Sequence, residues 1–244
     1  MGIIPGGGYG QYATVNKQHL VRVPDGLDLE VAAAIPEVWM TAYQIMNLVG
    51  GGVSKNDYVL VHAAVSGVGT SILQLLRTYE AKAIAVASTD EKLEYAKSLG
   101  AVGGINYKKD PEFGDRVMSI TDGHGADMIL DCVGGSHWEQ NEKSLARDGT
   151  WVNYGMMGGP AANISIGRVF AKRATIKFTS LRTRSVPYRA DLAKKFEQDV
   201  IPLFEKGVIK PIIHTVLPLS KIAEAHKLLE TNTTIGKIVI KNDL

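Results

Sequence analysis

Cysteine is almost absent from this chain. Cys132 is the only one in 244 residues, which excludes an internal disulfide and any zinc site built from several thiolates. A reducing, intracellular setting is the expectation, and the cytoplasm the simplest compartment. Long apolar runs are missing as well, and none approaches the ~20 residues that a membrane-spanning helix requires. Neither sign of charge dominates: 27 Lys and Arg stand against 25 Asp and Glu, a balance that recruits neither nucleic acid nor an acidic membrane surface. The six histidines are scattered, without H-E-x-x-H or C-x-x-C spacing, so no metal ligand set is expected and most histidines read as surface or packing residues. No G-x-S-x-G nucleophile elbow occurs. The N-terminus has no charged segment ahead of an apolar stretch and no Ser or Thr placed for myristoylation. It opens on Pro5-Gly6-Gly7-Gly8, with alternating strand-like residues from Tyr12 to Val15, as a chain entering in the middle of a domain.

What is present is concentrated between Tyr58 and Thr70, YVLVHAAVSGVGT. An apolar strand-like run stops at small residues and a helical pattern follows at once. A helix starting there aims free N–H groups and the positive end of its dipole at an anion on the turn. In the dinucleotide fingerprint G-x-G-x-x-G the three glycines serve the turn, the approach to pyrophosphate and helix–strand packing. Ala64, Ser66 and Gly69 occupy those places here, with Gly67 added. The substitutes are all small, and Ser66 adds a hydroxyl able to bond a phosphate oxygen. The competing reading is a tight turn with no ligand.

From Tyr58 onward, apolar strand runs alternate with helical periodicity, the sequence form of a parallel sheet covered on both faces. Strands are expected at 58–63, 82–87, 104–107, 128–133, 150–154 and 175–179, with helices at 69–79, 90–99, 112–120 and 137–145. The fold class is therefore α/β, a doubly wound six-stranded parallel sheet. Before it, two short strands precede a helix from Asp28 interrupted at Pro36, and Gly50-Gly51-Gly52 reads as a hinge or a helix stop. After it, a helix over 190–204, a strand over 212–217, a helix over 221–229 and a strand over 235–241 are expected. Three segments follow: 1–37, a dinucleotide-binding 38–185, and 186–244.

NAD enzymes usually carry an Asp or Glu about 20 residues past the glycine turn, on the ribose 2′-hydroxyl. Ser88 stands there instead. An acid would repel a 2′-phosphate, whereas Ser88, Lys92 and Tyr107 can accept one, which favours NADPH. Asp90 is the counter-candidate, although it also sits where a helix N-cap is needed, and Lys92 alone reads as a solvated helix face.

HAAVSGVGTSILQL, INY at 105–107, LDCVGG at 130–135, YGMMGG at 154–159, SLRTR at 180–184 and IGKIVI at 235–240 together resemble the zinc-independent quinone oxidoreductases of the medium-chain dehydrogenase/reductase superfamily. PGGG, AAIPEVWMTAY and GSHWEQN extend the likeness to the tumour-suppressor-inducible branch over nearly the whole chain. The resemblance implies a Rossmann domain, flanked at both ends by remnants of a GroES-like catalytic domain whose larger part lies outside this sequence. It implies that Thr41 approaches the cofactor, that Ser66, Gly67 and Val68 hold its pyrophosphate, and that Ser88, Lys92 and Tyr107 hold its 2′-phosphate. Gly134, Tyr154, Gly155 and Met156 would line the cofactor's path, with Arg182 and Gly236 nearer the nicotinamide. For Tyr154 core packing and for Arg182 a surface ion pair are the competing readings. The implied activity is NADPH-dependent hydride transfer to a small-molecule quinone or other activated carbonyl compound, in a homodimer paired through the sixth strand. No catalytic side chain is assigned, since the cofactor carries the reactive C–H and the protein positions it. An enal or enoyl reductase, and a non-catalytic dinucleotide-binding module, are the alternatives.

Overall fold

The computed structural model describes residues 1–243. They divide into two compact units, one of Met1–Ala42, Ser66–Ser71 and Leu181–Leu244, the other of Tyr43–Val65 and Ile72–Ser180.

The second unit is built on β1 (Tyr58–Val61), β2 (Lys82–Ala87), β3 (Ala101–Asn106), β4 (Ala126–Asp131), β5 (Leu145–Asn153) and β6 (Thr175–Phe178). All pairings are parallel, in the order β3-β2-β1-β4-β5-β6. The order reverses between β1 and β4, the switch point at which doubly wound sheets bind ligands. Helices α4 (Asp90–Ser98), α5 (Phe113–Ile120), α6 (Trp138–Ser144) and α7 (Ile166–Ala171) connect the later strands. Leu60, Ile84, Val86, Ile105 and Ile129 project from one face onto Phe113, Val117 and Trp138. Val59, Val61, Ala83 and Ala85, the alternate residues, are equally buried, which is why these strands read as continuous apolar runs. α3 (Gly67–Thr78) begins in the first unit and ends in the second.

Several boundaries moved. β3 and β5 begin three and five residues ahead of the 104 and 150 expected. In β3 the reason is visible: a Cβ on Gly103 or Gly104 would stand 3.2 Å from Ile120 or Leu93, so these glycines mark helix–strand contacts while weakening the strand signal. Gly50 ends a π-helical stretch, Gln44–Val49, and Gly51 and Gly52 follow at positive φ, so the triple glycine includes a helix stop.

The first unit holds α1 (Leu29–Ala32), α2 from Pro36 to its end at Tyr43, α8 (Val186–Asp199), α9 (Ile201–Glu205), α10 (Ile222–Glu230) and the parallel pair β7 (Ile213–Pro218) and β8 (Lys237–Lys241). The single helix expected over 190–204 is two, because Pro202 removes an N–H and its ring clashes with a carbonyl one turn earlier. The two N-terminal strands do not form. Tyr12–Val15 is irregular, and only an isolated antiparallel bridge joins Gly2 to Leu20. Alternation alone makes no strand where no neighbouring ladder receives its N–H and C=O groups.

Candidate functional site

The mouth of α3 lies in the first unit. The helix starts at Gly67, two residues before the position expected, because the Ser66 hydroxyl oxygen accepts the Gly69 N–H at 3.1 Å and acts as the cap. Ser66 thus uses a lone pair on its own helix, a bond that does not engage its hydroxyl hydrogen. The N–H groups of Gly67 and Val68 open the helix and have no carbonyl one turn earlier to bond. A Cβ on Gly67 would fall 2.6 Å from Lys237 Cδ and 2.8 Å from Val38 Cγ1, so only glycine fits. Ser66 pairs with Gly236 in a parallel bridge. Gly236 has φ +76°, and a Cβ there would meet the Ile212 carbonyl at 2.2 Å. Ser66, Gly67 and Gly236 are thereby brought together. Thr41 is half-buried on α2 and Arg182 is exposed in the loop before α8.

In the second unit, Ser88 directly follows β2 and is buried. The cap of α4 is Thr89, whose hydroxyl accepts the Lys92 N–H at 3.3 Å, and not Asp90. The Asp90 carboxylate is drawn to β3, where it accepts from Asn106 Nδ2 at 2.7 Å and from Lys109 Nζ. Those two partners hold it below the usual carboxylate range. Tyr107 arrives beside Ser88 through its N–H, which donates to the Ala87 carbonyl at 3.2 Å. Lys92 is 92% buried, with 8% exposure; burial and the nearby Lys108 ammonium push its pKa down. Two cations at one corner suit a phosphate.

Around the end of β4, Gly134 takes φ +75°, and its Cβ position lies 3.2 Å from the Gly159 carbonyl and 3.3 Å from that of Gly155. Gly134, Gly155 and the exposed Met156 therefore share one loop cluster. Tyr154 N–H donates to the Asp131 carbonyl at 2.8 Å. Its hydroxyl is buried beside the Cys132 thiol without a hydrogen bond of good geometry. Burial raises the Tyr154 pKa well above that of a free phenol and takes the Cys132 thiol to about 11. Both directions favour the protonated form at neutral pH.

Under this cluster runs a network that composition and motif spacing missed. Asp131 is fully buried. One carboxylate oxygen accepts from the N–H groups of Val133 (2.7 Å) and Gly134 (3.0 Å), the other from Asn141 Nδ2 (3.3 Å), Trp151 Nε1 (3.1 Å) and Asn153 Nδ2 (3.0 Å). Asn141 Oδ1 lies 2.7 Å from His62 Nε2, and His62 Nδ1 lies 3.2 Å from His137 Nδ1. His62 and His137 are thus a linked pair, not separate packing residues. The only clue in the sequence is an acid ending the apolar run Met128–Leu130.

Burial lowers both histidine pKa values, that of His137 to about 4 from 6.5, with His62 as its second cause. The unfolded chain therefore takes up a proton below pH 6.5 that the folded one refuses until about pH 4, so stability is present above that window and falls as pH descends through it. With a discount for the ring's partial exposure, the loss from His137 is roughly 1–2 kcal/mol. Urea denaturation at pH 7.5 and pH 4.5 measures it, and replacing His137 by a non-titrating residue flattens this part of the acid limb.

The profile of the zinc-binding dehydrogenase family matches residues 67–205. The chain belongs to this family, in its zinc-independent, quinone oxidoreductase-like branch. A 2-haloacrylate reductase of a Burkholderia species is 30% identical over 240 residues, covering 97% of this chain and 71% of that protein. A quinone oxidoreductase of Pseudomonas aeruginosa is 28% identical over 240 residues, with 97% and 72% covered. A mycobacterial protein solved in complex with NADPH superposes with a TM-score of 0.78 at 27% identity, over 90% of this chain and 66% of that one. The chain thus spans about two thirds of such structures, and only 9% of a Cordyceps militaris polyketide synthase that it also resembles. Among the described residues no three His, Cys, Asp or Glu side chains are grouped as a metal ion would need. In the same residues no helix is long and apolar enough to cross a membrane.

Proposed function

We propose that this chain is an NADPH-dependent oxidoreductase that passes hydride to a quinone or another activated carbonyl compound. The observation that carries the reading is the corner after β2, where buried Ser88 stands in place of an acid and the Lys92 ammonium lies within electrostatic reach of Lys108. Gly67 and Val68 N–H groups and the Ser66 hydroxyl hold the pyrophosphate. Ser88, Lys92 and Tyr107 hold the 2′-phosphate. Gly134, Tyr154, Gly155 and Met156 line the path beyond. Thr41, Arg182 and Gly236 serve the nicotinamide end. The cofactor supplies a hydride when bound, and these residues bind and orient it. A quinone suits such a site because solvent protonates the reduced oxygen.

The test is NADPH consumption against a panel of quinones and α,β-unsaturated acids and ketones. Turnover on quinones supports the reading. Turnover confined to unsaturated substrates supports an enal or enoyl reductase, which the 2-haloacrylate reductase similarity favours. Binding of NADPH with no turnover on any acceptor supports a non-catalytic dinucleotide module.

The active form is a homodimer paired through β6. This strand ends the sheet, and beside it lies an apolar groove of about 400 Å³ lined by Trp138, Ile164, Ile166, Phe170, Ile176 and Phe178 among others. Phe170 and Phe178 are 82% and 66% exposed. A bare edge strand next to exposed aromatics is a liability that pairing with a symmetry mate removes. Sedimentation velocity at micromolar concentration should give a dimer, and Ile176→Asp a monomer. A monomeric parent chain refutes this assembly.

A further inference from the structure

In the buried network of the second unit the hydrogen bonds fix the tautomers of both histidines. The Asn141 amide donates to Asp131, so its oxygen is the acceptor and His62 Nε2 must be the donor at 2.7 Å. A neutral His62 then presents a lone pair at Nδ1, and His137 Nδ1–H donates to it across 3.2 Å. The imidazole of His137 is fixed in tautomer and in plane by a chain that ends on a carboxylate holding five donors. Beyond it stands Tyr107, whose ring meets the His137 ring edge-on, centroids 5.2 Å apart at 65°. Phe113 also meets the His137 ring edge-on, at 5.1 Å and 70°. The hydride-transfer reading gives no role to His62 or His137, yet their chain terminates on one of the three residues given to the 2′-phosphate.

We propose that His137 is a positioning residue for NADPH selectivity: its Nδ1–H to His62 locks the ring against which Tyr107 packs, and so orients the tyrosine that serves the 2′-phosphate together with Ser88 and Lys92. The inference rests on the cofactor reading above. A tyrosine side chain has two soft torsions, and each orientation it explores without ligand lowers affinity when the ligand requires only one. Edge-to-face contact with the fixed His137 ring restricts that freedom. The effect falls on the 2′-phosphate alone, because the rest of the dinucleotide is held elsewhere.

The experiment titrates NADPH and NADH separately against the parent chain, His137→Phe, Tyr107→Phe and the double variant. His137→Phe keeps a ring of similar size and removes the donor. Expected is a fall of about tenfold in NADPH affinity with NADH unchanged, and no further loss in the double variant beyond Tyr107→Phe alone. Equal losses for both cofactors would mark a merely structural residue and overturn the proposal, as would undiminished NADPH preference in His137→Phe. Additive losses would show that His137 does not act through Tyr107. A parent chain that binds both cofactors equally would sink the cofactor reading and the role of His137 with it. Should His137→Phe not fold, long-range ¹H–¹⁵N spectra of the parent chain decide: His137 protonated at Nδ1 and displaced by NADPH but not by NADH is the supporting result, and the opposite tautomer or an equal response overturns it.

Discussion

Ser88→Asp is expected to lower NADPH affinity by two to three orders of magnitude while leaving NADH binding intact or improved. Ser88 is 8% exposed and follows β2 directly, so a carboxylate there has little water to screen it from a bound phosphate. Two unit charges about 4 Å apart repel by about 4 kcal/mol at the effective dielectric of a partly buried site, and the phosphate brings more than one. Each 1.4 kcal/mol is tenfold in affinity, so the repulsion alone reaches the upper end of the range. Pairing of the new carboxylate with Lys92 removes a cation the phosphate needs and adds to the loss. The ribose 2′-hydroxyl of NADH gains an acceptor instead. Fluorescence titration with both cofactors measures the change. If Ser88→Asp weakened the two equally, the corner after β2 would not be where they differ.

Asp131→Ala is expected to be the most damaging single change to the fold. Removing the carboxylate strands two backbone and three side-chain donors in an environment where Asp131, Asn141, Trp151 and Val152 have almost no solvent access. A buried donor left unpaired costs roughly 1–3 kcal/mol; with partial relaxation and a water entering the gap, a total of about 4–6 kcal/mol is reasonable, a large share of a typical domain's stability. The melting temperature should drop by roughly 10–20 °C for a chain of this size. NADPH affinity should fall as well, because the Val133 and Gly134 N–H groups lose the anchor that curls their loop. A variant melting within a few degrees of the parent would show that the five bonds contribute little beyond what water supplies.

Much of this architecture was legible from residue order. The apolar runs of β1, β2 and β4 are buried on both faces and so declare themselves without alternation, and Lys82–Ala87 matches its expected limits residue for residue. The turn after β1 was recognisable from small residues followed by a helical pattern, and Ser88 from its distance to that turn. Less legible were elements whose signal is borrowed from neighbours. α7 is short and has no buried residue, so its periodicity carries no apolar stripe. The division of labour among Thr89, Asp90 and Lys92 was open in the sequence, because Thr and Asp are both good caps. It was decided by Asn106 and Lys109, which lie 16 and 19 residues from Asp90 and draw its side chain to β3.

The chain by itself determined the sheet, its helices and the chemistry at the mouth of α3, since burial pattern, caps and small residues act over a few positions. Only the tertiary structure decided that His62, Asn141, His137 and Asp131 form one network, and that this network ends on Tyr107. His62 and His137 are 75 residues apart. Local sequence determines backbone conformation and which face is apolar; which donor meets which acceptor across strands depends on register and packing, and those are set by the whole core at once.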